Sequence, residues 1–139
     1  MLRIKHIDHV VLRVVDVQKM LDFYIGVLGC SLEKVQHDIG LVQVRAGASL
    51  IDFVAVDGPL GKSGGAAPGR QGRNLDHFCI SLEGPFDGAA IRAWLTSHGA
   101  QPGEEVSRYG ADGQGPSIYV PDPEGNVVEL KGPPPSADP

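Results

Sequence analysis

The sequence predicts an α+β fold made of two copies of one strand, helix, strands module. Two strands each carry a histidine opposite an aliphatic face, a capped helix follows each of them, and the landmarks recur at near-constant distances. His9, Asp16, Gly29 and Asp52 recur as His77, Asp87, Gly99 and Glu129, at offsets of 68, 71, 70 and 77. Such regularity across residues of unlike role marks an internal duplication with small loop insertions. Each half is too small to bury a sheet alone, so the halves, or two chains exchanging halves, are expected to share one.

The first strand is expected over 7–14, where Val10, Leu12 and Val14 form the face that packs on helices, leaving His9 and Arg13 on the other side. Asp16 is a suitable N-cap for a helix over 17–28, whose Val17, Met20, Leu21, Tyr24 and Leu28 fall at helical spacing before Gly29. Strands over 40–45 and 49–56 follow, joined at Ala46-Gly47, and Leu50, Asp52 and Val54 share one face of the second. The stretch GPLGKSGGAAPGRQGR at 58–73 is too rich in glycine and proline for regular structure and is expected to be a linker or surface loop. Its Gly61-Lys62-Ser63 is no phosphate-binding loop, since Val56 stands where the earlier glycine belongs and no helix pattern follows.

The pattern restarts over 76–82, with His77, Cys79 and Ser81 opposite Phe78, Ile80 and Leu82. Asp87 caps a second helix carrying Ala90, Ile91, Trp94, Leu95 and His98, and Gly99 ends it. Strands over 117–120 and 126–131 flank the turn-rich run PDPEG. The segment RYGADGQGP at 108–116 is expected to be a flexible lid. The whole chain, 1–139, is expected to be one domain, with a first module at about 5–57, a linker at about 58–74, a second module at about 75–132 and a tail at 133–139.

A formal net charge of −5 removes the positive field that non-specific nucleic-acid binding needs. No apolar run approaches the roughly 20 residues that span a bilayer, and the start has no signal-peptide pattern, so a cytoplasmic location away from membranes is expected. Cys30 and Cys79 are too few for a disulfide framework and are expected to be thiols.

His9, His77, Glu129 and Asp52 all fall on the non-aliphatic faces of their strands, two from each half. Two imidazoles with one or two carboxylates suit a single divalent cation, of zinc, nickel, iron or manganese type, with positions open to a small-molecule substrate. Glu129 lies in the apolar run Val127-Val128-Glu129-Leu130, where a carboxylate needs a partner, either the cation or Arg13. Asp52 is a ligand, an outer base or a solvated charge. Arg13 either clamps a substrate carboxylate or neutralises Glu129. Cys79 is expected to be a small buried hydrophobe, His6 and His37 surface residues, and His98 a complement to its helix end.

The segments IDHVVLRVVDVQKMLDFYIGVLGC, LDHFCISLEG and SIYVPDPEGNVVELKG, the last with a DPxGNxxEL ending, resemble the vicinal oxygen chelate superfamily over nearly the whole chain. That superfamily holds glyoxalase I, extradiol dioxygenases, fosfomycin-resistance transferases and bleomycin-resistance proteins. The resemblance implies paired βαβββ modules in an eight-stranded, incompletely closed mixed barrel with helices outside, often as a homodimer. It also implies metal ligation by His9, His77 and Glu129. Asp52 stands where glyoxalase I has a ligating, proton-moving glutamate, so this chain departs from that enzyme there. Arg13 matches the position of an arginine that meets the glutathione substrate. The implied activity is that of a glyoxalase-like lyase or isomerase, with Glu129 and Asp52 moving protons. A dioxygenase would draw on Tyr109 and Tyr119 beside the bound oxygens, and a non-catalytic resistance protein would sequester its ligand.

Overall fold

The structure, a computed structural model, describes residues 1–136 and divides into two compact units, Met1–Gly72 and Arg73–Pro139. In the first, β1 (His9–Val14), β2 (Ser31–Gln36), β3 (Leu41–Ala46) and β4 (Ser49–Ala55) form a mixed sheet in the order β1-β4-β3-β2. The second repeats it with β5 (Phe78–Ser81), β6 (Val106–Gly110), β7 (Gly113–Pro121) and β8 (Val127–Lys131) in the order β5-β8-β7-β6. In both units the first strand runs parallel to the last and the other pairs are antiparallel. The α+β class and the paired βαβββ modules are as expected. Among the described residues the strands lie in two four-stranded sheets, one in each unit.

Alternation sorts each sheet into an apolar and a polar face. In the first unit Leu12, Val14, Val44, Ile51 and Phe53 are buried with Met20, Phe23 and Tyr24 of the helical segment. The Tyr24 ring lies 5.1 Å from Phe53 and 5.3 Å from Phe23, in tilted and edge-on contacts of the kind aromatic quadrupoles favour. In the second unit Ile118, Val120, Val128 and Leu130 are buried along with Leu95 of the helix. What remains on the other face is His9, Arg13 and Asp52 in one sheet, and Cys79, Ser117, Tyr119, Glu129 and Lys131 in the other.

Both predicted helices form. Asp16 accepts from the Lys19 N–H and Asp87 from the Ala90 N–H, each at 3.0 Å. Gly29 and Gly99 end the helical segments at φ 86° and 82°, where a side chain would be strained. The first segment is α-helical only over α1 (Val17–Leu21) and widens to a π-helical turn at Asp22–Val27. The wider turn rotates less per residue, which lets the adjacent Phe23 and Tyr24 both reach the core. The second helix is α2 (Gly88–Ser97). His98 caps its end, its Nδ1 lying 2.9 Å from the Trp94 carbonyl.

Four sequence expectations need correction. β2 and β6 were not expected as strands. The predicted lid at 108–116 is instead hairpin, β6 pairing with β7 from Val106↔Ser117 to Gly110↔Gly113. Its glycines serve the turn and close packing rather than mobility. The linker contains one short 3₁₀ turn, Gly61–Gly64. Cys79 is exposed, not buried, because it lies on the polar face of β5. Cys30 is buried, and burial raises the pKa of its thiol. The tail expected at 133–139 lies partly outside the described residues.

Candidate functional site

Each unit holds one histidine beside one carboxylate, set by the same strand register. His9 stands opposite Leu50 of the parallel β4, two residues before Asp52. Extending the β5–β8 register by one residue sets His77 opposite Val127, two residues before Glu129. The two pairs are therefore equivalent in their modules. His77 Nε2 is 3.1 Å from Glu129 Oε1, and His9 Nε2 is 3.9 Å from Asp52 Oδ2.

The preceding aspartate fixes each imidazole. Nδ1 of His9 lies 2.7 Å from Asp8 Oδ1, and Nδ1 of His77 lies 2.7 Å from Asp76 Oδ2. A carboxylate only accepts, so Nδ1 carries the hydrogen in both rings and Nε2 is the atom left to face the buried acid. A ring held this way is the usual partner arrangement of a metal-bound histidine. Tyr119 stacks edge-on against His77 at 5.1 Å, which further restricts its rotation.

Glu129 and Asp52 are 6% and 3% exposed, so each needs satisfied oxygens. The Ser117 hydroxyl donates to Glu129 Oε2 at 2.6 Å. Gln43 Nε2 donates to both oxygens of Asp52 at 3.2 Å. Burial pushes the Glu129 pKa up, but hydrogen bonds from Ser117, Tyr119 and Cys79, with the charge of His77, outweigh it and hold the group below 4.5. The pKa of His9 is raised above 6.5 by its hydrogen bond to Asp8 and by the Asp52 charge. Although Cys79 is surface-accessible, its place on the cavity wall partly desolvates the thiol, and with the Glu129 charge this raises it to about 11, which makes it a poor nucleophile.

The depressed Glu129 has a consequence for stability. Around its ordinary value the unfolded chain binds more protons at this position than the folded chain does. Its contribution is therefore complete above about pH 4.5 and disappears as pH falls through the lower, folded value. Glu129→Gln should flatten that part of the stability profile, measured by urea titration at a series of pH values.

The other expected site residues are placed as follows. Arg13 donates to backbone carbonyls of the linker: Nε to Gly61 at 2.8 Å, one terminal nitrogen to Gly64 and Ala66 at 3.2 Å, and the other to Gly65 at 2.6 Å. A substrate carboxylate would have to compete with these contacts. A Cβ on Gly64 would collide with this guanidinium, so the glycine permits the close approach. Tyr109 is 82% exposed at the rim of a cavity of about 350 Å³ in the second unit, whose wall includes His77, Cys79, Glu129 and Lys131. The guanidinium of Arg108 lies 5.9 Å above the Tyr119 ring. His6 and His37 are exposed, as expected.

Among the described residues no group of three or more histidine, cysteine, aspartate or glutamate side chains is gathered at metal-binding distance. The residues come together as the two pairs above. The sequence did not point to Asp8, Asp76, Gln43 or Ser117, although the repeated Asp-His dipeptide was a readable signal.

The profile of the Glyoxalase/Bleomycin resistance protein/Dioxygenase superfamily matches residues 6–130. No curated protein matched the chain. Among solved structures, a virulence protein from Salmonella typhimurium aligns with TM-score 0.72 at 24% identity, covering 95% of this chain and 99% of that one. A lactoylglutathione lyase from Agrobacterium tumefaciens aligns at 0.64 and 19% identity, covering 91% and 92%. A glyoxalase/bleomycin resistance protein/dioxygenase from Alicyclobacillus acidocaldarius gives 0.64 at 18% identity, covering 91% and 90%. These likenesses show a shared fold, and with a profile match across most of its length the chain belongs to the glyoxalase/bleomycin resistance protein/dioxygenase superfamily.

Proposed function

We propose that the protein is a metal-dependent, glyoxalase-like lyase or isomerase, in which His9, His77 and Glu129 hold one divalent cation, within one chain or across a homodimer. The carrying observation is the His77–Glu129 pair. With Nδ1–H committed to Asp76, His77 turns Nε2 toward a carboxylate oxygen 3.1 Å away. Two electron-rich atoms at that distance repel unless a proton or a metal ion lies between them. The His9–Asp52 pair repeats the chemistry with more room, at 3.9 Å.

Nitrogen and oxygen donors of this kind suit zinc, nickel, iron or manganese. When bound, such an ion polarises neighbouring substrate oxygens and stabilises the negative charge that develops on them. The chain supplies the rest. Glu129, ionised at neutral pH, or Asp52 takes a proton from the carbon beside a chelated carbonyl. Ser117 and Gln43 hold those carboxylates in place. Tyr119 orients His77, Tyr109 stands at the mouth, and Arg13 contacts an anionic substrate through the linker it anchors.

Metal analysis of the native protein, with a turnover screen of hemithioacetals, catechols and fosfomycin, tests this. A bound divalent ion with chelator-sensitive turnover of a hemithioacetal is expected. Ring cleavage of a catechol would assign a dioxygenase instead, and a metal-free protein that binds bleomycin without turnover would assign sequestration. Cation affinity should also fall as pH drops, beginning above 6.5 because Asp8 and Asp52 favour the protonated form of His9. Affinity unchanged down to pH 5, measured by calorimetry, would contradict histidine ligation.

A further inference from the structure

The cavity in the second unit contains a group that the reading above does not use. Lys131 lies two residues beyond Glu129 on the same face of β8, about 7 Å along the strand. It is 4% exposed, yet it lines the cavity together with His77 and Glu129. Among the described residues its ammonium forms no hydrogen bond or ion pair, and no buried polar side-chain atom is left unsatisfied, so Nζ opens into the cavity. Glu129 and Asp112, the carboxylates on the same wall, form no ion pair with it. The stem is enclosed while the charge faces the cavity, where an anionic group can reach it.

The surrounding backbone is shaped to hold this side chain. A Cβ on Gly110 would lie 3.0 Å from Lys131 Cε and 3.2 Å from Cδ. One on Gly115 would lie 2.9 Å from Nζ. These glycines lie in β6 and β7, where glycine weakens a strand unless something must approach closely. Here it is the lysine stem that they admit. Tyr109 and Gly110 of β6 line the cavity with Lys131, which places a positive charge on the same wall as the His77–Glu129 pair.

We infer that Lys131 is an anion subsite of this cavity, so the substrate is a small molecule carrying a carboxylate or phosphate group within reach of the oxygens presented to Glu129 and His77. The inference rests on the proposed site for its meaning, but the subsite itself does not require the metal. An incoming oxyanion supplies the missing counter-charge and gains a charge-assisted hydrogen bond from Nζ. Neutral compounds of the same size have no such partner.

The test uses chelator-treated full-length protein with lysine side chains labelled for NMR, titrated with malonate, inorganic phosphate and neutral malonamide. Malonate or phosphate should shift the Lys131 Cε–Hε signal saturably while malonamide leaves it in place. Whichever anion binds identifies the group preferred. Lys131→Met, which keeps an unbranched stem without the charge, should weaken that binding about 10-fold or more. A Lys131 signal that neither anion moves, or equal anion binding by K131M and wild type, would overturn the subsite. Zinc titration of both proteins separates the two ideas: anion binding at Lys131 without zinc binding would sustain the subsite and defeat the metal proposal. Zinc binding with no anion effect would do the reverse.

Discussion

His77→Ala should lower divalent-cation affinity by more than about 100-fold, since removing even an outer partner of a metal ligand typically costs 10–100-fold. Glu129→Gln should do the same while preserving shape and an acceptor for Ser117. His37→Ala removes an exposed histidine outside both pairs and should leave affinity unchanged. Calorimetric titration with zinc makes the comparison. If all three variants bind like wild type, the His77–Glu129 pair is held together by a proton and an ordinary ion pair. Mixing His9→Ala with His77→Ala protein then locates a functional site. Recovered binding means that two copies share it, and no recovery means that each chain completes its own.

Phe53→Ala should destabilise the protein by about 3–5 kcal/mol, among the largest effects of any single core truncation. Phe53 is fully buried, and its ring meets Tyr24 at 5.1 Å, so its loss removes apolar area and an aromatic contact together. A urea transition should move to a lower midpoint with little change in slope. Phe53 also adjoins Asp52 on β4, whose position depends on that packing. Cation affinity measured well below the transition should change far less than in His77→Ala, which separates a weakened fold from a damaged site.

The elements that bury an apolar face were legible from sequence, because alternation and helical spacing are direct records of burial. β1, β3, β4, β5, β7 and β8 and both helix caps were found that way. β2 and β6 were missed for the same reason: most of their residues are exposed, and they join their sheets through backbone hydrogen bonds that side-chain periodicity does not report. The π-helical turn leaves no compositional mark. For the site, the faces carrying His9, Asp52, His77 and Glu129 were readable by counting in twos, and the structure pairs them by register. The anchoring of Arg13 was not, because its acceptors are carbonyls of a linker whose course no motif specifies. Lys131 was readable in principle, being in step with Glu129, but its burial depends on glycines in two other strands.

X-ray absorption at the edge of the bound metal examines the proposed centre most directly. Two imidazole nitrogens and at least one carboxylate oxygen around a single ion are expected, falling to one imidazole in His9→Ala and likewise in His77→Ala. A metal spectrum without imidazole scattering, or one that neither substitution changes, would contradict ligation by His9 and His77.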